Sequence, residues 1–111
     1  METNLFETAT ILDFAALAEY STNGIVSKQV IQKKTGNITL FAFDEGQKLS
    51  EHTAPFDAMV QVIEGQGEIV INGKPFLLQA GKSIIMPANI PHAVNAISKF
   101  KMLLIMIKEP V

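Results

Sequence analysis

A chain of 111 residues falls within the size of one domain with one core, so a single domain over 1–111 is expected. With 48% hydrophobic and 18% charged residues, it buries enough apolar surface to offset chain entropy, which excludes a disordered protein. Nine Lys plus Arg against eleven Asp plus Glu leave a net charge of −2 with no basic stripe, so nucleic acid is not an expected partner.

Cysteine is absent, which excludes disulfides, thiolate catalysis and Cys-based zinc or iron–sulfur sites. The longest apolar run, Met102 to Ile107, is far short of the roughly 20 residues of a membrane helix, so no membrane is expected as a partner. Met1 to Leu5 shows no basic region followed by an apolar stretch and resembles no secretory signal; a cytoplasmic location is the expectation.

In chain order, Leu12 to Tyr20 is rich in helix formers, with Asp13 placed to cap its first turn. Asn23-Gly24 ends it, because both residues tolerate positive φ. The reading is one short N-terminal helix within an arm of about 1–24, followed by a barrel over about 25–108. After Gly24 the vocabulary turns β-branched and aromatic: Ile25 to Gln32 and Ile38 to Phe43 read as strands joined through Lys34-Thr35-Gly36-Asn37. Further strands are expected at Met59–Glu64, Gly67–Ile71, Phe76–Gln79, Ser83–Met86, His92–Ile97 and Lys101–Lys108. Asn72-Gly73 is the preferred core of a two-residue hairpin turn. Many short strands punctuated in this way mean an all-β sandwich or barrel.

Two histidines, His52 and His92, are the main polar groups with chemistry to offer. Each alone reads more readily as a hydrogen-bonded structural residue than as a ligand. Met59, Met86, Met102 and Met106 suggest a thioether-rich interior, which suits either Cu(I) beside imidazole or, as the better reading, an adaptable apolar lining. Phe41, Phe43, Phe56, Phe76 and Phe100 read mostly as core or interface.

The pattern Gly46-x5-His52-x-Ala54-x3-Ala58-x6-Gly65, then fifteen residues, then Gly81-x5-Pro87-x-Asn89-x2-His92, resembles the two motifs of the cupin superfamily, specifically its small single-domain members. Val62-Ile63-Glu64-Gly65-Gln66-Gly67-Glu68 is similar to that family's apolar-Glu-Gly-x-Gly turn, and the resemblance spans about 36–107. It implies an all-β double-stranded β-helix, a jelly-roll barrel, with His52 and His92 at the first and last metal-ligand positions. Where the family carries its second His and its ligand Glu, this chain has Ala54 and Ala58. Asp57 and Glu51 stand one residue out of strand parity with the positions they would have to replace.

Two imidazoles fall short of the three protein ligands of catalytic zinc, or of the two His plus carboxylate of non-haem iron. No cofactor is therefore assigned, and a divalent transition metal at His52 and His92 stands as the alternative. The expected function is a cupin of unassigned activity that binds a small, largely apolar or planar molecule, lined by His52, Phe56, Met59, Met86, His92 and Met102. Phe56 shares the parity of Ala54 and Ala58 and is expected to face the cup they vacate. Enzymatic alternatives are a metal-free isomerase or lyase, with His52 or His92 as general acid or base, and a metal-dependent cupin enzyme of dioxygenase, isomerase or lyase type with a reduced two-His site. A homodimer is expected as well, because the apolar Ile25–Ile31 strand with the helix suits coverage of a partner's sheet.

Overall fold

Alternation of apolar and polar residues over short runs forces strands, and nine of them form among residues 6–109, which are those described by the structure, a computed structural model. The expectation about the first five residues lies outside that range. The strands are β1 Ile25–Lys33, β2 Gly36–Phe43, β3 Lys48–His52, β4 Asp57–Glu64, β5 Gln66–Ile71, β6 Lys74–Gln79, β7 Ser83–Met86, β8 His92–Ala96 and β9 Phe100–Ile107. All pairings are antiparallel. One sheet has the order β1-β2-β9-β4-β7 and the other β3-β8-β5-β6, which makes an all-β jelly-roll barrel of two facing sheets. Eight strands match the expected ones to within two residues; β3 was not expected. The β5–β6 hairpin turns on Asn72 and Gly73, both at positive φ (52° and 78°), as that dipeptide predicts.

The core lies between the sheets. Phe43 and Phe100 stack at 4.7 Å between ring centroids and are fully buried with Val60, Val62, Ile69 and Met102. No helix among the described residues is long and apolar enough to cross a membrane.

The expected helix over Leu12–Tyr20 is corrected to a single 3-10 turn, Phe14–Ala16, and Asp13 makes no side-chain cap bond. The physical reason is attachment to the sheet. Lys101 Nζ donates to Ala15 O, and Lys28 Nζ donates to Leu17 O at 2.8 Å, so lysines of the sheet beneath tie this segment down by its carbonyls along a path that only one 3-10 turn fits. Tyr20 adds a hydrogen bond from its hydroxyl to the Glu64 carboxylate, and Glu64 stands 3.6 Å from Lys101 Nζ. The arm is thereby tied across the outer face of the five-stranded sheet, where Phe6, Phe14, Leu17 and Ala18 cover Val30, Leu40, Ala42 and Leu103. Asn23 takes the positive φ (58°) at the arm's end.

Candidate functional site

Antiparallel register brings the two histidines together. His52 closes β3, His92 opens β8, and they are directly opposed partners across the two strands. Their Nε2 atoms stand 3.2 Å apart and the rings meet edge to face, with centroids at 4.4 Å and planes at 69°. His92 is buried, at 6% exposure, whereas His52 is exposed at the rim.

Each ring is fixed by a local backbone bond. His52 Nδ1 donates to Ser50 O at 2.9 Å, and His92 Nδ1 donates to Ile90 O at 3.2 Å. A carbonyl oxygen only accepts, so both protons sit on Nδ1 in the neutral rings and both Nε2 atoms present lone pairs. Two acceptors at 3.2 Å therefore converge on one another and call for a shared hydrogen or an electrophile between them.

Burial lowers the His92 pKa from the ordinary 6.5, the neighbouring His52 lowers it further, and the bond to Ile90 opposes both. Neutral His92 is thus the resting form at neutral pH. Below the ordinary His value the unfolded chain takes up a proton that the folded one refuses, so this contribution to stability is present above pH 6.5 and lost as pH falls through that value towards the lower folded one. Melting temperatures followed by circular dichroism are expected to decline with acidification from pH 6.5, and a His92→Gln variant should show a flatter profile over that window. An identical slope in the two proteins would remove His92 as the cause.

The same end of the barrel carries an interior row from the other sheet: Asn37, Met106, Ala58 and Met86 are successive cross-strand partners on β2, β9, β4 and β7. The Oδ1 atom of Asn37 is buried without a hydrogen-bond partner, which sequence reasoning missed because Asn37 was read as part of a turn. Buried acceptors are ordinarily satisfied, so this one is available to a bound donor.

The expected ligand-lining residues do not all gather here. Met86 is buried in the mouth row. Met102 is fully buried deeper in the core, paired with Phe41 and Val62. Met59 lines a hollow on the outer face with Ile85 and Ile105, because it alternates with inward Ala58 and Val60. Phe56 lies at the start of β4 in a hollow with Pro55, Ala88 and Glu109, its ring 5.3 Å from Lys108 Nζ, and is not part of the barrel core. Met59 and Phe56 are thus corrected to positions outside the interior. Asp57 is committed elsewhere, its carboxylate accepting the Ala88 amide at 2.9 Å.

The donor set does not fit a resident divalent metal. Among the described residues no three His, Asp or Glu side chains converge, and the family's two further positions carry Ala54 and Ala58.

A barrel of two antiparallel sheets with opposed histidines at one mouth is the architecture of cupins. The family profile described as the cupin domain matches residues 39–108, and the chain belongs to that family. It is 34% identical, with a TM-score of 0.92, to a conserved protein of unknown function from Streptococcus pyogenes, over 100% of this chain and 97% of that one. It is 44% identical, with a TM-score of 0.82, to a cupin 2 conserved barrel domain protein from Leptotrichia buccalis, over 85% of this chain and 46% of that one. Salicylate 1,2-dioxygenase from Pseudaminobacter salicylatoxidans shares the fold alone, at 19% identity and a TM-score of 0.70, over 76% of this chain and 26% of that one. A search of curated proteins gives no match.

Proposed function

We propose that this cupin binds a small, largely apolar molecule at the barrel mouth through an O–H or N–H group shared by His52 and His92. The observation that carries the reading is the pair of Nε2 lone pairs 3.2 Å apart, each ring held in that tautomer by its Nδ1 bond to a carbonyl. The unpartnered Oδ1 of Asn37 adds an acceptor at the same end, and Met86, Met106 and Ile71 supply apolar wall. Acceptors on a polarisable apolar wall suit a planar molecule with hydroxyl groups. General acid or base action by the pair on such a molecule is the enzymatic extension of this reading.

Resorcinol, which carries two hydroxyls on a flat ring and does not chelate metals, is a fitting probe. Long-range proton–nitrogen NMR of the imidazoles is expected to show saturable shifts of both Nε2 signals with Nδ1 little changed, at a Kd of about 1 mM or tighter. The His92→Ala variant should lose the effect while its amide spectrum stays folded. Unmoved Nε2 signals across the titration would defeat the proposal. Binding should also weaken as pH falls through the lowered His92 value, since a proton on His92 Nε2 occupies the site of the donor.

A further inference from the structure

Two connections cross from one sheet to the other at the barrel mouth, and they run side by side. Residues 53–56 lead from β3 to β4 and residues 87–91 from β7 to β8, and the strands that flank them are paired, His52 with His92 and Ala58 with Met86. The second connection reads Pro87-Ala88-Asn89-Ile90-Pro91, and its two prolines leave it three backbone N–H groups. Pro87, next after Met86, has no N–H with which to extend the β4–β7 ladder. Instead Ala88 N donates to the Asp57 carboxylate at 2.9 Å, and Asn89 N donates to Ala54 O at 2.7 Å. Among the described residues, Asp57 is the one side chain besides His92 that bonds this connection. The bond matters because Asn89 stands at φ 64°, a left-handed conformation that a non-glycine residue keeps only where its surroundings hold it.

What this connection presents to the site is a carbonyl. Ile90 O accepts His92 Nδ1–H at 3.2 Å, and His92 Nε2 lies at the same 3.2 Å from His52 Nε2. The neutral ring therefore has two tautomers that each make one hydrogen bond of equal length, one to Ile90 O and the other to His52 Nε2. The fixed acceptor decides between them. With Ile90 O held in place, the Nε2–H tautomer sets the Nδ1 lone pair of a buried ring against an oxygen that cannot turn away. The Nδ1–H tautomer instead sets Nε2 against His52, which is exposed at the rim, where water or a ligand supplies the missing hydrogen.

We infer that Asp57 is a positioning residue for the site: by holding Ala88 it fixes the Ile90 carbonyl, and so keeps His92 protonated on Nδ1 with its Nε2 lone pair open to a ligand. This rests on the reading of the two imidazoles as paired acceptors. Without the Asp57 contact, residues 88–90 relax from the left-handed turn and Ile90 O leaves Nδ1. One proton then passes from Nδ1 to water and one from water to Nε2, and the ring stays neutral. The new Nε2–H donates to His52 Nε2, so the pair satisfies itself and the place of the ligand's donor is closed.

Nitrogen NMR of His92 in the ligand-free protein at neutral pH tests this. The unmodified chain is expected to show Nδ1 protonated and Nε2 bare. Asp57→Ala should reverse that pattern, whereas Asp57→Asn, whose amide oxygen accepts the same N–H, should keep it. Asp44→Ala is the control. The Asp44 carboxylate accepts Asn23 N at 2.7 Å and Glu45 N at 3.0 Å at the opposite end of the barrel, and its loss should leave His92 unmoved. Asp57 is exposed and outside the core, so the amide spectra should stay folded. Resorcinol affinity should fall about fivefold in Asp57→Ala, the worth of about one net hydrogen bond, and hold in Asp57→Asn. An unchanged tautomer in Asp57→Ala, or the same reversal in Asp57→Asn or Asp44→Ala, overturns the proposal. The tautomer is read without ligand, so failure of resorcinol to bind the unmodified chain would count against the ligand reading alone.

Discussion

Replacing Gly65 with alanine is expected to abolish the folded state at ordinary temperature. Gly65 makes the β4–β5 turn at φ 77°, and a methyl group there would overlap Lys99 O and crowd the Cα of Phe100, both at the entry to β9. These are backbone atoms, and the turn and β9 are held in place by neighbouring bonds, with Gln66 N donating to Ser98 Oγ and Ser98 N to Gln66 O. Neither side has room to move without breaking the start of the central strand. Gly46, Gly73 and Gly81 also have positive φ, but an added Cβ at each meets nothing within 4 Å. Alanine at Gly81 therefore incurs only the left-handed penalty of about 1–2 kcal/mol. Denaturant unfolding of the two variants checks the contrast: Gly81→Ala should melt cooperatively at a lowered midpoint, whereas Gly65→Ala should give no transition. Comparable midpoints would mean that the close approach at Gly65 relaxes at little cost.

Most strand positions and the meeting of the two histidines were readable from residues alone; β3, the arm and the cross-strand placements were not. Strand positions follow from alternation, which depends only on neighbours in sequence, and this is why β5 to β9 fall where Gly and Pro punctuation places them. β3 is the exception. Lys48-Leu49-Ser50-Glu51-His52 has one apolar residue, and only Leu49 packs against the core, so an edge strand of this composition reads as a loop even though it carries half of the site. The arm misleads in the opposite direction, because Leu12 to Tyr20 has helix propensity that tertiary contacts override, Lys28 and Lys101 tying its carbonyls to the sheet. The pairing of His52 with His92 was implied by the motif, yet the unpartnered Asn37 oxygen and the Ala88 amide on Asp57 arise from cross-strand placements that no local pattern records.

Reinstating the two vacated positions should turn a poor metal site into a good one. Ala54 lies between β3 and β4, with its carbonyl accepting the Asn89 amide at 2.7 Å, and Ala58 is buried beside Met86 and Met106 in the mouth row. The unmodified protein offers a divalent ion two neutral imidazoles and no anion, so calorimetry with Zn(II) or Ni(II) should show no stoichiometric binding at about micromolar affinity. Changes to groups that merely support metal ligands already cost about 10- to 100-fold in affinity, and a direct ligand contributes more. The Ala54→His/Ala58→Glu double variant is thus expected to bind Zn(II) more than about a thousandfold tighter than the unmodified chain. The gain has a structural cost: a carboxylate placed among Met86 and Met106 overpacks a buried position and lacks a partner until the ion arrives. The metal-free double variant should therefore melt below the unmodified protein, by about 1–3 kcal/mol or more, and excess zinc should restore it. Stoichiometric micromolar binding by the unmodified chain, lost in His92→Ala, would show instead that two imidazoles suffice and that the barrel mouth holds a metal.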